Sequence, residues 1–212
     1  MVLPPSGDSG PASIAKPARR RALQNLSPDK FATYPFKCTK GLRGGRYYLV
    51  QTLPEFEVFL QRAMQQKVIA IDTETSGLNW VHSDACGIVV GWGVDSNFYL
   101  PIDHKTSDKQ LQIDRIKPGL LKLFLRPDTT KIFWNAKFDL HILAKLGLHV
   151  GGPFHDGVTL SFLIDENMDH GLKELAEKHI DKRAGKWEKK VDEWRTTEAK
   201  RRRSGFSESA KA

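Results

Sequence analysis

Apolar positions between residues 46 and 180 switch several times between runs of strand length and stretches of helical period. Residues 46–50 form a short apolar run after a basic, glycine-containing segment, and predict a strand. Thr52-Leu-Pro-Glu55 is a capping box with an early proline, so a helix is expected to open there. It would present Phe56, Phe59, Leu60 and Ala63 on one side. Residues 68–71 are continuously apolar instead of alternating, which predicts a strand covered on both faces. Residues 86–94 and 97–100 predict two more strands, paired across the Asp95-Ser96-Asn97 turn. Helical period returns over 108–125, with Leu120, Leu121, Phe124 and Leu125 apolar and Pro127 as the stop. A short strand over 131–134 leads into a helix over 136–146 that ends at Gly147. Further helices are expected over 157–164 and 171–180. The order predicts a mixed α/β domain, one central mixed sheet flanked by helices.

The flanks differ from this centre. Residues 1–45 are rich in proline, serine, glycine and basic side chains, and are expected to be disordered. Residues 46–182 form the domain. Residues 183–212 are expected as a charged helical tail whose only apolar stripe is Trp187, Val191 and Trp194. A chain of 212 residues is too short for a complete template-directed polymerase. Its 40% hydrophobic and 27% charged residues are ordinary enough to set wholesale disorder aside. No run approaches the ~20 apolar residues of a membrane span, and the N-terminus has no apolar signal core. A cytoplasmic protein, or one of a host cytoplasm if the gene is viral, is therefore expected, with no membrane partner. Cys38 and Cys86 lack the spacing of a zinc site or a disulfide framework. The formal net charge of +8 is uneven: residues 1–46 hold 9 basic against 2 acidic side chains, 47–180 hold 13 against 17, and 181–212 hold 11 against 6. An acidic centre between basic ends suits a carboxylate metal site beside arms that meet a polyanion, or else solvated basic tails.

Two groups of acids point to chemistry. Asp72-Thr-Glu74 follows the apolar run 68–71, and residues i and i+2 of a strand share a face. Two carboxylates so placed repel unless a cation lies between them, and Mg²⁺ or Mn²⁺ is the natural occupant; the same pair can also simply end a strand and start a turn. Asn135-Ala-Lys-Phe-Asp139 opens the helix over 136–146, with Asp139 at the head of the stripe continued by Ile142, Leu143 and Leu146. An ionised acid on a core-facing stripe requires a partner. It could be a metal ligand or a first-turn acid favoured by the helix dipole, with Asn135 as N-cap. Asp156 is expected to cap the helix after it, and His141, off the stripe, to line a surface or groove.

These residues in this order resemble the 3′→5′ proofreading exonuclease domain of the bacterial and phage DNA polymerase I family over residues 47–195. D-x-E at a strand end matches Asp72 and Glu74. N-x-x-x-D on a following helix matches Asn135 and Asp139. An aspartate-led helix at Asp156 and Gly171-Leu-Lys-Glu-Leu-Ala176 continue the match. The resemblance implies the ribonuclease H-like exonuclease fold and removal of nucleotides from single-stranded DNA 3′ ends in replication or proofreading. It implies Asp72, Glu74 and Asp139 as catalytic, metal-holding residues for two Mg²⁺ or Mn²⁺ ions. Asn135, Thr75, Leu78 and Phe138 would contact the terminal nucleotide.

One family motif is missing. Y-x-x-x-D should follow the Gly171 segment, yet no tyrosine occurs after Tyr99. The resemblance thus implies a site incomplete alone, one metal weakly held, with a second chain carrying the rest of a polymerase as the expected partner. Two alternatives stay open on the sequence: a non-catalytic module that binds single-stranded nucleic acid, and an RNA-trimming enzyme of the ribonuclease D type.

Overall fold

In the computed structural model of the chain, residues 36–40, 45–105 and 109–183 are described. They build a seven-stranded sheet with strands β1 (Lys37–Lys40), β2 (Arg46–Leu49), β3 (Val68–Thr75), β4 (Ala85–Gly91), β5 (Asn97–Pro101), β6 (Thr130–Phe133) and β7 (Phe154–Asp156). The helices are α1 (Leu53–Ala63), α2 (Ile113–Phe124), α3 (Ala136–Lys145), α4 (Gly157–Ile164) and α5 (Leu172–His179). Strand order is β1-β2-β5-β4-β3-β6-β7. The β5-β4-β3 centre is antiparallel, whereas β6 and β7 join in parallel after helical crossovers. The mixed sheet expected from the sequence is present. The expected tail helix lies outside the described residues.

Local chemistry explains where the elements start and stop. The α1 capping box is formed: Glu55 N–H donates to Thr52 Oγ1, and the Glu55 carboxylate accepts from the Thr52 N–H at 2.9 Å. At the end of α3, Gly147 takes φ +72°, which a side chain resists. Gly147 N–H then donates to Ala144 O and Leu148 N–H to Leu143 O, a Schellman closure. α1 and α2 meet at Gly119, where a Cβ would lie 2.7 Å from Leu60 Cδ2. Phe56, Phe59, Ile116, Leu120 and Phe124 are buried in these two helices. Phe59 also packs on Phe98 of β5, with ring centroids 5.3 Å apart. The core therefore lies between one sheet face and the helices α1 to α3.

Three sequence expectations are corrected here. β3 is covered on one face only: Ile69, Ile71 and Thr73 are buried, while Val68, Ala70, Asp72 and Glu74 alternate with them in solvent. A continuous apolar run states that a strand can be covered on both sides, not that it is. The sheet also takes in β1, within the segment expected to be disordered, and its pairing with β2 is a main-chain match of Lys37–Lys40 to Arg46–Leu49. Finally, α2 begins at Ile113, later than expected; just before it the Leu111 N–H pairs with Pro101 O at 2.8 Å.

Lys131 of β6 is fully buried, a rare placement for lysine. Its ammonium donates to Arg126 O and Gly151 O, both at 2.6 Å, tying the ends of two loops together. Burial pushes its pKa below the ordinary lysine value. At the other extreme, Leu163 and Ile164 of α4, Leu172 of α5 and Ile180 just after it are more than half exposed. Among the described residues no helix is long and apolar enough to cross a membrane.

Candidate active site

β3 outruns its parallel neighbour. Pairing with β6 covers Val68 to Ala70 only, so the main chain beyond it needs another partner. Asp139 of α3 supplies one: its Oδ1 accepts from the Thr73 N–H at 2.9 Å and from the Thr73 hydroxyl at 2.6 Å. Asp139 is 3% exposed, as its place on the inward stripe requires. Burial raises its carboxyl above the ordinary range, and the two Thr73 hydrogen bonds pull the other way. The partner that a core-facing acid demands is thus Thr73, a residue that the sequence reading passed over. Its signal was present: Thr73 is the polar side chain that strand parity turns inward between two acids.

Asp72 and Glu74 point to the opposite, open face. A register shift between Glu74 and Thr75 breaks the β4 ladder there, the kind of irregularity that re-aims side chains at a strand end. The Asp72 carboxyl is held up to about 6, first by partial burial, then by the charges of Asp139 and Glu74. The Thr73 N–H only partly offsets this. No ion pair among the described residues uses Asp72, Glu74 or Asp139. Beside Glu74 a groove of about 590 Å³ runs between Tyr47, Val89, Asn97, Tyr99 and His104. Within it the Tyr99 hydroxyl meets His104 Nε2, and burial, then Cys86 and Glu74, raise the Tyr99 pKa.

A hard divalent cation suits this donor set. The donors are carboxylate oxygens without a protein cation to neutralise them, the chemistry of Mg²⁺ or Mn²⁺ sites and not of zinc. Among the described residues, however, no three Asp, Glu, His or Cys side chains stand close enough to hold an ion together. Asp72 and Glu74 share a face; Asp139 comes from the other side of the strand with Oδ1 committed to Thr73.

The remaining residues singled out in the sequence lie around the end of β3. Thr75 donates from Oγ1 to Gly77 O at 2.7 Å, fixing the turn that follows. Leu78 is 96% exposed. Phe138 is half-buried on the first turn of α3. Asn135 does not cap α3 with its side chain; it adopts φ 67°, ψ 54° instead, a left-handed conformation that asparagine tolerates. The capping falls to Asp156, which accepts from Asn135 N–H at 2.9 Å and Ala136 N–H at 3.2 Å. As expected, Asp156 also caps α4, accepting from Val158 N–H at 3.1 Å. His141 stacks on Trp80, ring centroids 4.0 Å apart and 11° from parallel, a pairing absent from the sequence reading because the two rings are 61 positions apart.

The sequence pattern of the 3′-5′ exonuclease family matches residues 47–204. DNA polymerase I of Chloroflexus aurantiacus is 32% identical over 117 residues, 55% of this chain and 12% of the relative. DNA polymerase I of Borreliella burgdorferi is 30% identical over 135 residues, 64% of this chain and 15% of the relative. The chain therefore spans about an eighth to a seventh of the polymerases it matches. Among solved structures, Escherichia coli RNase D, an exoribonuclease involved in structured RNA processing, superposes with a TM-score of 0.51 at 15% identity, covering 63% of this chain and 33% of that one. This is a likeness of fold alone: the sheet and helices have the ribonuclease H-like fold.

Proposed function

This chain belongs to the 3′-5′ exonuclease family of DNA polymerase I type, and from that premise we propose that it removes nucleotides from DNA 3′ ends with the help of divalent metal. The observation that carries the reading is the placement of Asp72 and Glu74 side by side on the open face at the end of β3, with no ion pair to either among the described residues. Asp72 and Glu74 would hold the metal from the open face of β3, and Asp139, with Oδ1 committed to Thr73, would serve a second ion through water. A pair of such ions, when bound, stabilises the attacking and leaving oxygens of a phosphodiester displacement.

The chain's own residues do the positioning. Thr73 fixes the Asp139 carboxylate with two donors. Asp156 holds the start of α3, and with it Asn135 and Phe138, which orient the last nucleotide. Thr75 and Leu78, on the turn after β3, contact its base or sugar. Preference for DNA rests on the polymerase relatives; nothing observed favours the non-catalytic alternative.

The test is release of nucleotides from 3′-labelled single-stranded DNA and RNA with Mg²⁺ or Mn²⁺, beside the Asp72→Ala/Glu74→Ala protein. With no Y-x-x-x-D following the Gly171 segment, slow metal-dependent release is expected, preferring DNA, abolished in the double variant and accelerated by a second chain carrying that motif. Release that persists undiminished in the double variant, or no release even with the complementing chain, overturns the reading.

A further inference from the structure

The segment between β3 and β4 is short, polar at its base and apolar at its tip. Its base is closed by Ser76 N–H to Asp84 O at 2.9 Å and by Asp84 N–H to Ser76 Oγ at 3.0 Å. Asn79 organises the tip, accepting from His82 and Ser83 N–H on its carbonyl and from Val81 N–H on its side chain at 3.1 Å. Lys145, from the last turn of α3, reaches across and donates to the carbonyls of Trp80, Val81 and Ser83. The loop is therefore held along its length. Yet it keeps Leu78 96%, Val81 52% and Trp80 39% exposed.

Trp80 is the unusual member. One face of its indole lies flat on His141 of α3, so its orientation is set without any ligand. A ring fixed in advance and still open to solvent loses no rotamer freedom when something stacks on it. The exposed patch amounts to three side chains, far fewer than the about 20 to 30 residues a side of a specific protein interface. The loop begins immediately after Thr75, and Trp80 lies six positions beyond Glu74 in the same held segment.

We infer that Trp80, backed by His141, is a stacking platform for one unpaired nucleobase of the strand whose 3′ end reaches Asp72 and Glu74. This rests on the nucleic-acid reading above and extends it to a contact that orients the strand without touching the scissile bond. Stacking on an aromatic face is tolerant of base identity, so the platform adds affinity and register, not sequence choice.

The experiment measures binding of a fluorescent single-stranded oligodeoxyadenylate to the full chain by anisotropy, with divalent cations chelated so that nothing is cut. Trp80→Ala is expected to weaken binding by about 5- to 150-fold, the range of one lost base–aromatic stack. Trp80→Phe should stay nearer the wild type. Trp80→Leu keeps apolar bulk without a π face, and should lose affinity as Ala does even where Ala folds poorly. A scan of abasic positions along the oligonucleotide adds a readout that a purely structural role would not move. One abasic position should cost the wild type affinity and cost Trp80→Leu nothing further. Equal affinity of wild type and Trp80→Leu, or abasic losses identical in the two, overturns the platform while leaving the exonuclease reading intact. A wild-type chain that does not retain the oligonucleotide at all overturns the platform, and the nucleotide-release assay then decides the exonuclease reading separately.

Discussion

Asp72→Asn should stabilise the metal-free protein at neutral pH while disabling it. The folded chain holds this carboxyl up to about 6 against an ordinary 3.8, through partial burial, then Asp139, then Glu74. A folded-state pKa above the unfolded one means that between about pH 4 and pH 6 the native state binds more protons than the unfolded state. Stability is then highest below that window, falls as pH rises through it, and stays reduced above it. The full gap corresponds to about 3 kcal/mol against the ionised form. Asp72 keeps much of its surface in solvent, and screening reduces the realistic figure to about 1 kcal/mol. Asparagine removes the charge and keeps the shape. Urea unfolding in EDTA should therefore show the variant more stable by about 1 kcal/mol at about pH 7.5, the difference vanishing below about pH 4. Added Mg²⁺ or Mn²⁺ should reverse the order by stabilising the wild type more than the variant. A variant that is no more stable than wild type at neutral pH would refute the reasoning, because Asp72 would then carry no uncompensated charge for a cation to relieve.

Two further substitutions test the supports of the site. Thr73→Val removes the hydroxyl donor to Asp139 Oδ1 and should cost about 1.5 to 3 kcal/mol in urea unfolding, the range for a hydrogen bond to a charged group; a loss below about 0.5 kcal/mol would show that the N–H alone suffices. Lys131→Met leaves Arg126 O and Gly151 O without their buried donor and should destabilise by about 2 kcal/mol or more. Thermal and urea midpoints that do not move would mean that water replaces the ammonium.

How far the fold could be read in advance depended on whether the signal was local. The α1 capping box and the Gly147 closure are written within a few consecutive residues, and both form as expected. The shared face of Asp72 and Glu74 follows from strand parity alone. The partner of Asp139 does not, because it depends on β6 stopping short of Thr73, a property of two strands 60 residues apart. β1 escaped for a similar reason: Lys37-Cys-Thr-Lys40 has no apolar period, and its place is set by main-chain pairing with β2. Asn135 has N-cap chemistry, but its side chain does not cap: Asp156, 21 positions later, accepts from the amides of Asn135 and Ala136, and asparagine turns left-handed.

A carboxylate offers two oxygens and only accepts. Asp156 spends them on amides from the starts of two different helices, so its nearest chemical relatives are poor replacements: an asparagine would turn an NH₂ toward one of those amides, and a glutamate would overshoot by a methylene. Neither helix start can be re-engineered on its own, because the position that terminates one account of unsatisfied amides terminates the other. For a lineage or a designer, the beginnings of α3 and α4 are one heritable character, although Ala136 and Gly157 stand well apart in the sequence.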